Sequence, residues 1–421
     1  MERNFITADW VKGSNVYEVN IRQYTADGTF AAFHEHLPRL REMGVQILWL
    51  MPITPISKEK RKGSLGSYYA CSSYTRINPD FGTLEDFRLL VNDAHSKGMK
   101  VIIDWVANHT GSDHEWTKTN PDFYYKNEHG EFYDKNGWDD VIDLNYDNQQ
   151  LRIEMIAAMK HWINECDIDG FRCDMAHLVP LGFWEEARSA CDQLKSLFWL
   201  AETDDLNYYK VFDATYAWHW MHVSEKFFKG ESSLHDFKSA LAVSEQLPCD
   251  CCKLMFTSNH DENSWNGTEF EKYGDAAKAL AVLCCTWRSL PLIYSGQELP
   301  NRKRLQFFDK DEIEWKEEYE LHSFYNTLLS LRKTSKAIGE GSIEVLQTAA
   351  ADKVIVFVRR FEEDVVLVLL NLSGANRVHI QLYQSYLTGR FMNVFSQLSF
   401  DFNGSPGFEL NAWEYHVYRR I

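Results

Sequence analysis

Up to about Ser295, short apolar runs alternate with longer stretches in which hydrophobic positions recur every three or four residues. The runs predict strands over 15–24, 45–52, 99–106, 169–174, 197–202, 211–217, 253–259 and 290–295. The stretches between them predict helices. One covers 30–44 and stops at Gly44. A second opens at Thr83, with Glu85 and Asp86 in its first turn, and closes at Gly98. A third covers 148–166. Strand–helix alternation repeated eight times predicts an α/β fold, a (β/α)8 TIM barrel. After strand three the pattern breaks into a long polar stretch, too irregular for a plain connection. It predicts a short inserted domain over one end of the barrel. After Lys336 the period becomes two, in "DKVIVFVRRFEEDVVLVLLNLS" and again in "FELNAWEYHVYRRI". This predicts a C-terminal antiparallel β-sandwich. The expected divisions are 1–109 with 147–338 for the barrel, 110–146 for the insertion, and 339–421 for the C-terminal domain.

Four of the predicted strand segments end in polar groups. Asp174 closes "DGFRCD", Glu202 closes "LFWLAE", Asp261 follows "MFTSNH", and "VIIDWVANH" contains Asp104 and ends in Asn108 and His109. A parallel barrel places its chemistry at the C-terminal ends of its strands. One acid at such a place is as well explained by a helix cap or an arginine partner. Three of them with Arg172, His109 and His260 point instead to glycosidic-bond chemistry. Cleavage with retention needs two carboxyl groups about 5–5.5 Å apart, one ionised and one protonated. Arg172 lies two residues before Asp174, so the two share a strand face, and the cation is expected to keep Asp174 ionised with a low pKa. The apolar run before Glu202 is expected to raise its pKa, which suits the acid/base role. Asp261, after His260, is expected to stabilise positive charge on the sugar ring.

These segments resemble the signature segments of the α-amylase family of retaining glycoside hydrolases, in the same order. "DWVANH", "GFRCD", the glutamate of "AETD" and "SNHDE" are similar to the four main ones; "DLN" and "PLIYSGQE" are similar to two more. The resemblance implies Asp174 as nucleophile, Glu202 as acid/base and Asp261 as transition-state stabiliser. It implies Tyr69, in "GSLGSYYACSSYTRINPDFGT", as the residue under the bound sugar. Arg172, His109 and His260 would line the same subsite, with Asp104 and Asn108 behind. The implied substrate is an α-glucan oligosaccharide of the maltodextrin type, most simply α-1,4-linked. Transglycosylation, and cyclomaltodextrinase or α-1,6 action, would use the same site, and a non-catalytic binding module would use the same fold. Many members hold calcium, through residues matching Asn108 and Asp143. Calcium takes roughly six to eight oxygens, and where a further histidine ligand is often found this chain has Leu178. No cofactor is therefore assigned, with calcium the one candidate. Met175, after the nucleophile, leaves the bond preference open. Among the tryptophans, Trp105, Trp138 and Trp265 flank the signature segments and are the candidates for sugar stacking.

The formal charge of −17 argues against nucleic acid or an anionic membrane surface as partner, because both need basic patches. No run reaches transmembrane length, and the N-terminus lacks the pattern of a secretory signal. Nine scattered cysteines, mostly in apolar stretches, suit a reduced cytoplasmic protein. The cluster Cys249, Cys251, Cys252 lacks a second pair at zinc spacing. The acidic run 309–320 is expected to be a solvated surface leading into a helix. The sequence does not set an oligomeric state.

Overall fold

The structure is a computed structural model and describes residues 3–421. Eight parallel strands close into a barrel: β1 (Val16–Val19), β2 (Ile47–Leu50), β3 (Lys100–Trp105), β4 (Gly170–Cys173), β5 (Phe198–Ala201), β6 (Ala214–Tyr216), β7 (Cys252–Met255) and β8 (Ser289–Tyr294), with β1 pairing β8. Six fall inside their predicted runs, and β7 and β8 each begin one residue before theirs, at Cys252 and Ser289. β1 is shorter than expected, because the chain turns into a one-turn helix at Ile21–Tyr24. The predicted helix over 30–44 is two helices, Phe30–His34 and Leu37–Met43, with Pro38 in the first turn of the second. Proline has no N–H for an i→i−4 bond, so the first helix cannot run through it. The helix Leu84–Ser96 carries the expected Thr83 cap as a full capping box with Asp86. Asn148 caps Gln149–Cys166.

The inserted stretch is tied down by a short antiparallel ladder, His109–Gly111 against Val141–Asp143. This ladder brings Asn108 and Asp143 together at the edge of the barrel mouth.

The C-terminal region forms β9 (Ser342–Val345), β10 (Val354–Phe361), β11 (Asp364–Asn371), β12 (Val378–Gln381), β13 (Thr388–Asn393), β14 (Ser399–Asn403), β15 (Gly407–Leu410) and β16 (Tyr415–Arg420). Six of them make one antiparallel sheet, in the order β9-β10-β11-β16-β13-β14, and β12 pairs with β15 in a second, two-stranded layer. Alternate residues of β10 and β11 go to opposite sides. Ile355, Phe357, Val366 and Val368 join the main hydrophobic core with the barrel helices, and the Phe357 ring lies 4.9 Å from that of Trp287. Val356, Val358, Leu367 and Leu369 pack with Ile380 and Leu410 of the small layer. Both faces are covered, which is why these strands read as near-continuous apolar runs.

Candidate active site

The barrel register builds the site. Cys173 of β4 pairs with Ala201 of β5, so the residues that follow, Asp174 and Glu202, leave neighbouring strand ends side by side. The ladder continues past both strands: Asp174 N–H donates to Trp105 O (3.0 Å) and Glu202 N–H to Cys173 O (3.0 Å). Neighbouring strands lie about 4.8 Å apart, close to the separation of two carboxyls that flank one retained bond. Asp104 of β3 pairs with Arg172 of β4 in the same ladder.

Arg172 is fully buried and serves three carboxylates. Its Nη1 meets Asp104 Oδ1 at 2.9 Å and Asp174 Oδ1 at 2.8 Å, and its Nη2 lies 2.8 Å from Glu202 Oε2. The Nη2 contact is electrostatic rather than a well-aligned hydrogen bond. Nε donates to Tyr216 Oη at 3.0 Å. One cation among three buried acids cannot neutralise them all. Burial raises Asp174 to about 6 despite Arg172, with Asp104 adding to the rise. This corrects the expectation of a low value: the arginine is present where predicted, but desolvation and two neighbouring carboxylates outweigh it. Glu202 follows the expectation. Burial lifts it to about 7 against Arg172, and Asp174 and Asp261 lift it further. Burial likewise puts Asp104 at about 6.

Met175 has a left-handed backbone, φ 40. This conformation is uncommon without glycine and typical of functional turns. It points the Met175 N–H at Glu202 Oε2, 2.9 Å away.

A second chain of bonds crosses the mouth. Tyr69 Oη donates to Asp104 Oδ2 (3.2 Å) and lies 2.8 Å from His260 Nε2. The His260 ring stacks on Tyr69 with centroids 5.5 Å apart. Its Nδ1 faces Glu18 Oε1 at 2.5 Å and its Nε2 lies 3.3 Å from Asp261. Burial opposes a charge on His260, but Asp261 and Glu18 prevail and raise it well above the ordinary histidine range. Burial works to raise Asp261, but His260 outweighs it and lowers the carboxyl. His109 is different. Burial pulls it down to about 4, outweighing the opposing pull of Asp134 and Asp140, and leaves it neutral.

These groups line a cleft of about 340 Å³. Its outer wall is aromatic: Phe307 stacks parallel to Tyr69 (6.3 Å, 18°), Trp265 lies 5.5 Å from Phe307, and Phe308 follows. Trp265 is 54% exposed and stands on a short π-helical turn, Glu262–Asn266. Across the cleft Trp138 sits edge-on to His109. At the rim Lys62 pairs with Asp140 of the insertion at 2.8 Å. Trp105 is buried beside Tyr74 and Phe171, not in the cleft. The cleft thus gathers Asp174, Glu202, Asp261, Tyr69 and His109, with Arg172, Asp104 and His260 directly behind them. Sequence reasoning missed Glu18, Lys62, Asp140, Phe307 and Phe308. Glu18 had a signal, as the one charge within the apolar run of β1.

The candidate calcium donors do not fit a cation. Asn108 Nδ2 donates to Asp143 Oδ1 (3.2 Å), so the pair is closed on itself. Asp143 is raised to about 7, by burial first and then by a hydrogen bond shared with Asp134. Its other oxygen accepts the Lys135 N–H at 3.0 Å. His177, near the position of the often-found histidine ligand, is exposed. Among the described residues no group of three or more His, Cys, Asp or Glu side chains could hold a metal ion.

A closed parallel barrel with buried, adjacent carboxylates at its C-terminal mouth and a sugar-sized aromatic cleft defines a protein of the barrel glycosidase class. The model of the α-amylase catalytic domain matches residues 11–126 and 120–323. The chain belongs to the α-amylase family of glycoside hydrolases. It is 27% identical to the α-amylase MalA of Haloarcula japonica over 87% of this chain and 56% of that protein, so it spans little more than half of that relative. It superimposes on a noncanonic maltogenic α-amylase, AmyB, from Thermotoga neapolitana with a TM-score of 0.90 and 29% identity, over 98% of this chain and 99% of that one. An α-amylase from Lactobacillus plantarum gives 0.89 and 27%, over 98% and 100%.

Proposed function

We propose that the protein hydrolyses α-glucosidic bonds of maltodextrins and malto-oligosaccharides with retention, through a covalent glycosyl-enzyme. The observation that carries this is the register of β4 and β5, which sets Asp174 beside Glu202, each against one Nη atom of the same buried guanidinium. In the first step Asp174, ionised, attacks the anomeric carbon while Glu202 gives its proton to the leaving oxygen. In the second, Glu202 takes a proton from water, which displaces the sugar from Asp174. The shared guanidinium keeps the nucleophile oriented. Asp261, kept ionised by His260, faces the ring as positive charge grows on it. Tyr69 and Phe307 give the sugar a stacking floor, and Trp265 extends it.

Nine unpaired cysteines, most of them buried, support a reducing compartment as the site of action. No helix among the described residues is long and apolar enough to cross a membrane.

The test is incubation with maltoheptaose, with the anomer of the fresh product read by proton NMR. The expected product has the α configuration. A 5-fluoroglycosyl fluoride should trap the intermediate on the peptide containing Asp174. A β product, or a label elsewhere, would overturn the assignment. Added acceptor sugar in the same tube separates hydrolysis from transfer.

A further inference from the structure

At the end of the barrel away from the cleft, where β7 and β8 begin, a second cavity of about 300 Å³ lies between the barrel and the C-terminal sheet. Three guanidiniums line it: Arg288 before β8, Arg332 near the end of the helix His322–Thr334, and Arg359 on β10. Arg332 and Arg359 are almost fully buried, and Arg288 is half-buried. Among the described residues none of the three has a carboxylate within ion-pair distance, and their hydrogen bonds all run to main-chain carbonyls. Of the acids on the cavity wall, Asp250 pairs with Arg3 at 2.6 Å, and Glu340 is solvent-exposed, 4.0 Å from a Lys12 that Asp9 holds at 3.0 Å. Burial keeps the thiols of Cys251 and Cys252 protonated, the latter raised to about 12. Burial, and then repulsion from Arg332 and Arg288, pull Arg359 down to about 9.

Buried charge without a counter-charge is costly. Part of it is met by helix ends. Arg332 and Arg359 bond the carbonyls of Cys285 and Thr286, which close the helix Ala277–Thr286, and Arg359 also bonds those of Ile338 and Gly341, which close Lys336–Glu340. Each helix end carries roughly half a negative charge. Two ends offset about one of the three cations and leave about two. Donors remain as well. A guanidinium has five N–H bonds. Arg332 uses three, Arg359 four and Arg288 two.

We propose that this cavity is a binding site for a phosphate-class oxyanion, a dianion held between Arg288, Arg332 and Arg359, whose occupancy fastens the sheet to the barrel. The residual charge matches a dianion, and planar guanidiniums suit phosphoryl oxygens. Inorganic phosphate and a phosphorylated sugar share this head group. The site lies at the barrel end that governs stability rather than chemistry, so the ligand acts on folding stability.

The test uses the full chain. Its melting temperature is measured in sodium phosphate and in sodium chloride at equal ionic strength, with titration calorimetry in parallel. The expected result is a saturable rise with phosphate alone, with Kd at or below ~1 mM. In R288Q, activity on maltoheptaose is unchanged and phosphate affinity falls about tenfold or more. Glucose 6-phosphate, if tighter than phosphate, marks the sugar ester as the ligand; if not, free phosphate is. No saturable difference between phosphate and chloride overturns the proposal, as does equal affinity in R288Q and parent. Should R288Q fail to fold, crystals of the parent soaked in tungstate decide. Density beside Arg288 and Arg332 supports the site, and an empty cavity at saturating tungstate refutes it.

Discussion

Replacing Glu202 by glutamine separates proton transfer from every other feature of the site. The amide keeps the shape of the side chain, and its oxygen can still accept the Met175 N–H now 2.9 Å away. The titrating proton and the charge 2.8 Å from Arg172 Nη2 are lost. A positioned acid contributes ~10²–10⁴-fold, or roughly 3–5.5 kcal/mol at 1.36 per decade. Turnover of maltoheptaose should fall by that factor. The pH dependence is the sharper readout. In the parent, Asp174 must be ionised and Glu202 protonated, and these titrate at about 6 and about 7. kcat/KM should therefore be bell-shaped, rising near the first value and falling near the second, both belonging to the coupled pair. In the variant the alkaline fall should vanish, since nothing else there must carry a proton. The acid limb should move to lower pH, because Arg172 then serves two carboxylates instead of three and binds Asp174 more tightly. An α-glucosyl fluoride, whose leaving group needs no proton, should react at nearly the parent rate in its first step. Initial rates on both substrates between about pH 4 and about pH 9 would settle the matter. A variant within ~3-fold of the parent on maltoheptaose, or one equally slowed on both substrates, would refute the assignment.

Glu18→Gln should leave the fold intact and lower kcat/KM by ~10–150-fold, the equivalent of one hydrogen bond to a charged group, about 1.5–3 kcal/mol. Trp265→Ala should raise KM for maltoheptaose by ~2–12-fold with little change in kcat, matching about 0.5–1.5 kcal/mol of stacking. Dialysis against EDTA should change neither rate nor melting temperature, given the closed Asn108–Asp143 pair, and a loss restored by calcium would contradict this. Gly170→Ala should abolish or strongly weaken folding as seen by circular dichroism, since an added Cβ would lie 2.1 Å from Phe198 O.

The barrel was legible because its strands are apolar runs, most of them ended by a polar residue, and most gaps between the runs leave room for a helix. The adjacency of Asp174 and Glu202 was legible for the same reason: both close neighbouring strands. What escaped was carried by tertiary balance or by loops. The pKa of Asp174 depends on three acids sharing one arginine, and a local pairing with Arg172 could not reveal Asp104 as its competitor. Phe307 and Phe308 sit in an irregular segment that has no period, beside an acidic run that drew attention as surface. That segment is in fact folded against the loop after β2, where Asp309 accepts the Ser64 N–H. Two C-terminal strands were missed, β12 of the second layer and β14 at the edge of the six-stranded sheet, because both are short and half polar.

The double-sided burial of β10 and β11 bears on how this molecule can be divided. A fragment ending after the barrel would bare Trp287 and the helices now roofed by Ile355, Phe357, Val366 and Val368. The sheet alone would present those same side chains to water. Neither half is a module that could be shuffled or expressed by itself. Heating should release both together in one transition, and a linker inserted between them would loosen the entire molecule rather than free one part.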